Sequence, residues 1–600
     1  MENFLRRLYE AVLRHRVAVC LSLGLLLLLP SLSAGFYFDD VWQQALLDAH
    51  ARGQDGKSTL ELCLDLWSWD TGLPQRSYLR IGAPYLLTWF ADLDLSVRFF
   101  RPLTAWTLLV NHRLGGSDPF GYHVLNLALW LLLAAAALEL HRRLLPAPGA
   151  RPALLLAGLF FALNDAHQNN VAWIGARHGL LETLFSLVCI LLYDRFRHRG
   201  GLRNLVLAVI ALALGLAAGE MALLTLVWIV SYEIFLSHDP LRLRIACASP
   251  FFALAAGYFA YYVSAGYGAY SSSWYLNPVD RPLDFLQAAL TQRLPGYLIG
   301  ALTVLPGEIF QANSPAVLAV GLVLILIVGV VLLPSLRWRP EMRFAAGAVF
   351  GSILCLCVVP PFSYKLLLPT AAGSLMLALG VTDTLRRLRN AAISLGRRAF
   401  AKRAAVGMVL LMHGIGAPLL GHYLLRNFVQ VSRPEHRLAL WRAIDWPEDR
   451  EASEVYLINT PGSWTGLFLP YEDYLFTGRW VGNYFPVSFQ SVSFDMTRLD
   501  ATTVRLSSPE GLLSGYFAQG LAALVRRDPA LRAGEDFARE GFTVVVDQSR
   551  NGVPMGLLVR FPRDLDDERV HLLAFDGIRT RRIRAPRPGE TLSIRLQSPP

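Results

Sequence analysis

Apolar residues in this chain come in long unbroken runs, not in the period-two or period-3.6 stripes of half-buried strands and amphipathic helices. Runs long enough to cross a bilayer are centred near residues 17–34, 122–140, 153–166, 178–194, 203–219, 221–236, 245–264, 316–334, 344–361, 365–382 and 404–421. They predict about eleven transmembrane helices, with the third and sixth short for the purpose. A further stretch, "GYLIGALTVLPGEIF", is broken by Pro306 and reads as a re-entrant or interfacial piece. Between residues 35 and 121 lies a large first loop. Its segments "IGAPYLLTWFADL" and "FFRPLTAWTLLVNHRL" are apolar but studded with Trp, Arg and Pro, which predicts helices lying along the interface. From about Ser432 the pattern changes to that of a soluble domain. Strands are predicted in "SEVYLINTPG", "FTVVVDQSRNGVPMGLLVRFP", "RVHLLAFDG" and "TLSIRLQ", and an amphipathic helix in "PEGLLSGYFAQGLAALVRRD". The expectation is a polytopic α-helical membrane protein, residues 1–430, followed by a mixed α/β domain, residues 431–600.

Composition agrees. With 54% hydrophobic and 17% charged residues, the chain is far from a soluble multidomain protein, where roughly a quarter of residues are charged. The net charge of +10 sits in short clusters between spans, such as "HRRLLPAPGAR", "RFRHRGGLR", "SHDPLRLR", "PSLRWRPEMR" and the stretch from Arg386 to Arg403, so it marks one membrane side and not nucleic-acid binding. These are the loops after the second, fourth, sixth, eighth and tenth spans if the N-terminus is cytoplasmic. The C-terminal domain then lies outside, together with every unusual polar cluster. Arg6, Arg7, Arg14 and Arg16 before the first run also resemble a signal peptide, but the run is read as an uncleaved span because the topology counts it. Of six cysteines, only Cys63 lies in a predicted loop, which leaves no disulfide framework.

The external clusters carry the candidate chemistry. Asp39 and Asp40, in "GFYFDDVWQQ", follow the first span and are flanked by Phe36, Tyr37, Phe38 and Trp42. Two adjacent carboxylates can be a solvated turn. In an aromatic, partly dehydrated belt, one of them can instead be a general base for an acceptor hydroxyl or amine. "ALNDAHQNNVAWIGARHGLLETLF" adds Asp165, His167, Asn169, Arg177, His178 and Glu182. An ordinary polar loop with His167 as a core or capping histidine is the plain alternative, and no recognised spacing supports a metal there. Glu220 sits between two spans, either as a turn residue in water or as a buried, partnered carboxylate. Lys365 stands at the external entrance of a span, where it either snorkels or meets a lipid phosphate with Arg101, Arg177 and Tyr364.

The order of these pieces is specific. "YFDD" after the first span, "FRPLTAWTLLVNHRLGGSDPFGYHVLNLALW" leading into the second, "HQNNVAWIGARHGLLETLFSLVCILLY" across the third and fourth, "GEMALLTLVWIVSYEIF" and "YKLLLPTAAGSLMLALG" together resemble the C-type (GT-C) glycosyltransferases over roughly residues 17 to 385. The branch they resemble is the protein O-mannosyltransferase-like one that includes the transmembrane, tetratricopeptide-containing mannosyltransferases, here without the repeats. The resemblance implies transfer of a sugar from a polyprenyl-phosphate donor to a protein, lipid or glycan acceptor on the external face, with inversion at the anomeric carbon. It implies Asp39 and Asp40 as the acidic motif. The family usually carries an acidic residue where Asn169 stands, another near Gly179, a lysine at Gly219 and a Glu-Arg pair at Ser363 and Tyr364, so sugar and acceptor are left open.

Two other function classes compete. A transporter or flippase would place charges at mid-membrane in related halves, whereas here the span middles carry almost none. A GT-C-like scaffold without activity is the third class. The expected location is a bacterial cytoplasmic membrane, as a multi-pass protein.

Overall fold

A computed structural model describes residues 10–70, 88–308, 314–390, 396–539 and 542–597. Each of the eleven apolar segments is helical. Seven helical stretches are long and apolar enough to cross a membrane: Arg16–Ser33, Pro119–Leu144, Ile174–Arg199, Leu241–Ser264, Pro315–Leu336, Ser363–Arg389 and Arg397–Ser432. The protein is therefore a multi-pass integral membrane protein. The other four fall short. Arg151–Ala162 and Leu224–Phe235 have 12 residues each, and Leu202–Ala218 and Pro340–Leu356 have 17. A 12-residue helix is about 18 Å long against a hydrocarbon layer of about 30 Å. The stretch interrupted by Pro306 is the nine-residue helix Leu294–Leu302, with the chain turning immediately after it.

Small residues let the helices approach closely, as packing without a water-driven force requires. A Cβ on Gly158 would come within 2.7 Å of both Cys20 Sγ and Leu138 Cδ2. The basic loops gather at one end of the bundle. Arg143 reaches Asp194 at 3.4 Å, Arg197 reaches Asp239 at 2.7 Å, and Arg386 donates to the Gly149 carbonyl at 2.8 Å. Arg339 grips Asp383 through two hydrogen bonds of 2.6 and 2.9 Å. These links join all five basic loops.

At the opposite end, three short strands, Ser68–Asp70, Ser96–Arg98 and Gly268–Tyr270, form an antiparallel sheet that ties the first loop to the 265–281 segment. The C-terminal part holds a six-stranded antiparallel sheet in the order 591–594, 494–498, 503–507, 553–560, 542–550, 536–539. Beside it lies a mixed four-stranded sheet whose strand Glu454–Leu457 pairs in parallel with both Val570–Phe575 and Asn483–Pro486. The 542–560 hairpin turns at Asn551 and Gly552, both with positive φ (53° and 78°), the pattern that "NG" between alternating strands predicts.

The first loop belongs to the C-terminal core. Trp42, Trp67, Trp89, Phe90 and Leu108 join Tyr456, Leu467, Tyr471, Phe489, Val544 and Leu557 in one apolar cluster, separate from the cluster of the bundle. Only the end of the expected interfacial helix in "IGAPYLLTWFADL" falls among the described residues, and that end is not helical. Residues 81–87 lie outside the described residues, and 88–93 form turns. Trp89 and Phe90 are apolar because they face the C-terminal sheets, with Trp89 Nε1 donating to the Val487 carbonyl at 2.7 Å. The second expected helix of the loop is present as Pro102–Gly115.

Candidate active site

A cavity of about 710 Å³ opens between the bundle, the first loop and the C-terminal part. Asp39 lines it; Asp40 does not. The two carboxylates are the first residues of the helix Asp39–Ala51, entered through Phe38 at φ 50°, a strained backbone of the kind that clusters at functional sites. Asp40 is 0% exposed. It accepts hydrogen bonds from the backbone amides of Tyr37 (3.0 Å), Ile174 (3.3 Å) and Gly175, so it clamps the start of this helix to the segment before Arg177–Arg199. Asp39 accepts from Trp173 Nε1 at 2.8 Å and Gln43 Nε2 at 3.4 Å. Burial lifts its carboxyl to about 6, against the Trp173 hydrogen bond and the charge of Arg101. Burial and the Asp39 charge push Asp40 up as well, opposed by its three amides. Adjacent buried carboxyls resist double ionisation, and the one that opens to the cavity is poised near neutrality.

The predicted cations separate into three situations. Arg101 lines the cavity but is paired with Glu220, Nη2 to Oε1 at 2.5 Å and Nε to Oε2 at 3.3 Å, while its guanidinium lies 4.5 Å from the Phe99 ring centroid. Glu220 is held below the usual range because that ion pair outweighs its burial. Lys365 also lines the cavity, its Nζ 4.9 Å from the Tyr364 ring centroid. No carboxylate stands within ion-pair distance of it among the described residues. Arg177 does not reach the cavity. It is 0% exposed and donates to Asn126 Oδ1 (2.6 Å), Asn111 Oδ1 (2.6 Å) and the Tyr122 carbonyl (3.0 Å), so its donors tie together three helix segments and its guanidinium is turned away from the cavity.

Of the remaining predicted residues, Asn169 and Tyr364 line the cavity, with Trp173 edge-on to Tyr364 at 5.4 Å. His167 is a core histidine. Its Nδ1 accepts from Trp130 Nε1 at 3.1 Å, Phe161 packs edge-on against it, and burial pulls it down to about 3. Asp165 is buried away from the cavity, and burial lifts it to about 7. Among the described residues, no group of three His, Cys, Asp or Glu side chains could hold a metal ion.

Several cavity residues went unnoticed in the sequence. Glu308 accepts from Ser363 N at 2.7 Å and Ser363 Oγ at 2.6 Å, which fixes the entrance of the Ser363–Arg389 span. Its only sequence signal was an acid after the Pro306 break. Arg293 donates to the carbonyls of Cys357 (3.0 Å) and Trp274 (3.1 Å). Trp274 stacks on Phe362 at 5.6 Å and 13°, giving the cavity a flat aromatic surface. Tyr516, Phe517 and Gln519 of the helix Tyr516–Val525 form the roof.

No protein-family model matches the chain. Among curated proteins, protein O-mannosyl-transferase Tmtc1 of Drosophila melanogaster is 28% identical over 222 residues, 36% of this chain and 23% of that protein. Tmtc2 of the same species is 28% identical over 253 residues, 40% and 24% respectively, and human protein O-mannosyl-transferase TMTC4 is 34% identical over 114 residues, 17% and 15%. The chain is similar to protein O-mannosyl-transferases. The matches with Tmtc1 and Tmtc2 take in about a quarter of the length of those relatives. Among solved structures, ArnT from Cupriavidus metallidurans bound to undecaprenyl phosphate aligns with a TM-score of 0.40 at 11% identity, covering 76% of this chain and 84% of that one. The archaeal oligosaccharyltransferase AglB from Archaeoglobus fulgidus, in complex with an inhibitory peptide and a dolichol-phosphate, aligns at 0.43 and 12%, covering 80% and 65%. Of the acidic pair predicted from sequence, Asp39 is the member that lines the cavity.

Proposed function

We propose that the protein is a membrane glycosyltransferase that moves a sugar, mannose by the names of its relatives, from a polyprenyl-phosphate donor to a hydroxyl of a protein acceptor. The observation that carries this reading is one cavity that presents together Asp39, a lysine with no carboxylate at ion-pair distance among the described residues, and a stacked aromatic pair. In the step proposed, the acceptor oxygen attacks the anomeric carbon, the bond from that carbon to the phosphate oxygen breaks, and the acceptor proton passes to Asp39. The polyprenyl phosphate leaves with its negative charge against Lys365. Stabilising that charge is the larger contribution, and base catalysis adds a factor of about 10² to 10⁴. Arg101 with Glu220 serves as a neutral pair that shapes the wall and holds Asp39 ionisable. Residues 1–430 supply the donor side, and residues 431–600 the roof over the acceptor. The cavity faces away from the five linked basic loops, which supports an external position by the Lys/Arg bias.

The test is turnover of radiolabelled polyprenyl-phosphate mannose by the full chain in detergent, followed as label in protein. Label transfer that Asp39→Asn abolishes is the expected result. A folded wild-type chain that transfers neither mannose nor any other hexose from the lipid donor overturns the proposal.

A further inference from the structure

A second, smaller cavity adjoins the first and remains unused by the chemistry above. It measures about 20 Å³ and is lined by His178, Glu182, Thr183, Ser186 and Lys365, among others. Glu182 is 2% exposed; among the described residues no side chain donates to either of its carboxyl oxygens, and the Met221 backbone amide faces it. It is wedged against Gly219, where a Cβ would overlap Oε1. A carboxyl buried without an ion pair or a side-chain donor is costly and calls for an explanation. The cavity supplies one, since about 10–15 Å³ suffices for a water that has two to four polar partners. The charged groups that face Glu182 are Glu220 from the turn after Leu202–Ala218, Arg101 from the first loop and Lys365 from the opposing span. His178, one turn earlier on its own helix, lines the same space. Arg101 and Glu220 neutralise each other at 2.5 Å, so Lys365 and Glu182 are left as the unmatched cation and the unmatched acid.

We infer that Glu182, through one water in the small cavity, is the counter-charge of Lys365 while the donor site is empty, and that it takes up a proton when a lipid phosphate replaces it as that counter-charge. The inference rests on the donor site proposed above. Charge balances on both sides of the step: ammonium with carboxylate in the empty site, ammonium with phosphate and a neutral carboxylic acid in the filled one. The proton comes from solvent through the large cavity. Glu182 touches no reacting atom. It is a positioning residue that sets how tightly, and at what pH, the phosphate is held.

The experiment is calorimetric binding of undecaprenyl phosphate to the full chain in detergent, in two buffers of different ionisation enthalpy, between pH 6 and 8. Wild type and the near-isosteric Glu182→Gln are compared. Wild type should take up as much as one proton per site more than Glu182→Gln, and its affinity should fall with rising pH by up to about tenfold per unit relative to the variant. Glu182→Gln should bind as tightly or tighter, whereas Lys365→Ala should lose binding. Equal proton uptake in wild type and Glu182→Gln, or loss of binding in Glu182→Gln like that in Lys365→Ala, overturns the inference while leaving the donor site standing. Absence of lipid-phosphate binding in wild type overturns both. If Glu182→Gln does not yield folded protein, a wild-type affinity that does not weaken across the same pH range overturns it.

Discussion

The two ends of the helix bundle treat charge in opposite ways. At the basic end, arginines are closed by carboxylates: Arg143 by Glu139 and Asp194, Arg197 by Glu233 and Asp239, Arg339 by Asp383. At the cavity end, among the described residues, Lys365 has no carboxylate at ion-pair distance, Glu182 has no side-chain donor, and Asp39 is held by an indole and an amide instead of a cation. Pairs at the first end fix loops to one another. At the second, unmatched charges are a standing cost, and a ligand that brings the missing charge recovers it. The two ends also explain each other, because helices crosslinked at one end can hold unsatisfied groups in place at the other.

The contrast breaks most sharply at Asp39. Asp39→Asn keeps the size and an acceptor but cannot take a proton, so turnover should fall by about 100-fold or more while donor binding survives. Equal turnover in the variant would remove the base assignment. Asp40→Asn should instead lower the melting temperature, because it disturbs the buried carboxyl that accepts from three backbone amides.

Lys365→Ala should raise the donor Kd by about tenfold or more, the scale of a charge-assisted contact of roughly 1.5 to 3 kcal/mol. Arg143→Ala, at the basic end, should leave it unchanged. Donor saturation curves for the two variants decide this, and identical curves would erase the difference between the ends.

The pH profile sharpens the comparison further. Asp39 must be ionised to accept a proton, and its carboxyl is lifted to about 6. kcat/KM should therefore rise about tenfold per pH unit below that value and level off above it. In Arg101→Gln, which removes a cation favouring the ionised form, the midpoint should move upward. The smallest effect is expected at the basic end itself. Arg143→Ala should cost about 1 kcal/mol or less in unfolding free energy, since its pairs are partly solvated.

The bundle was legible in the sequence because apolar run length alone marks a membrane helix, and all eleven runs are helical. The acidic pair was legible because Asp39 and Asp40 interrupt an aromatic belt at a span end. Arg177 was read as a phosphate ligand because a cation near a span end has no local mark that separates a binding residue from a structural one. Its acceptors sit on Asn111, Tyr122 and Asn126, at separations no short pattern reveals. Glu308, Arg293 and the roof residues Tyr516 and Phe517 were missed for the same reason, as segments far apart in sequence meet only in the folded chain. The segment around Trp89 misled through its composition, since an indole facing a protein core and one facing lipid look alike in sequence.

The apolar cluster shared by residues 36–109 and 444–574 imposes an order on biosynthesis. The loop carrying Asp39 emerges early, yet the partners that bury Trp42, Trp67 and Trp89 are translated last. At about 5–20 residues per second, several tryptophans must wait on the order of half a minute outside the membrane without their core. During that interval the loop is a natural client for a chaperone, and the acidic pair has no finished surroundings. A ribosome that stalls before the final sheets releases a bundle already inserted in the membrane but with no completed cavity, so the large cavity exists only in the finished chain.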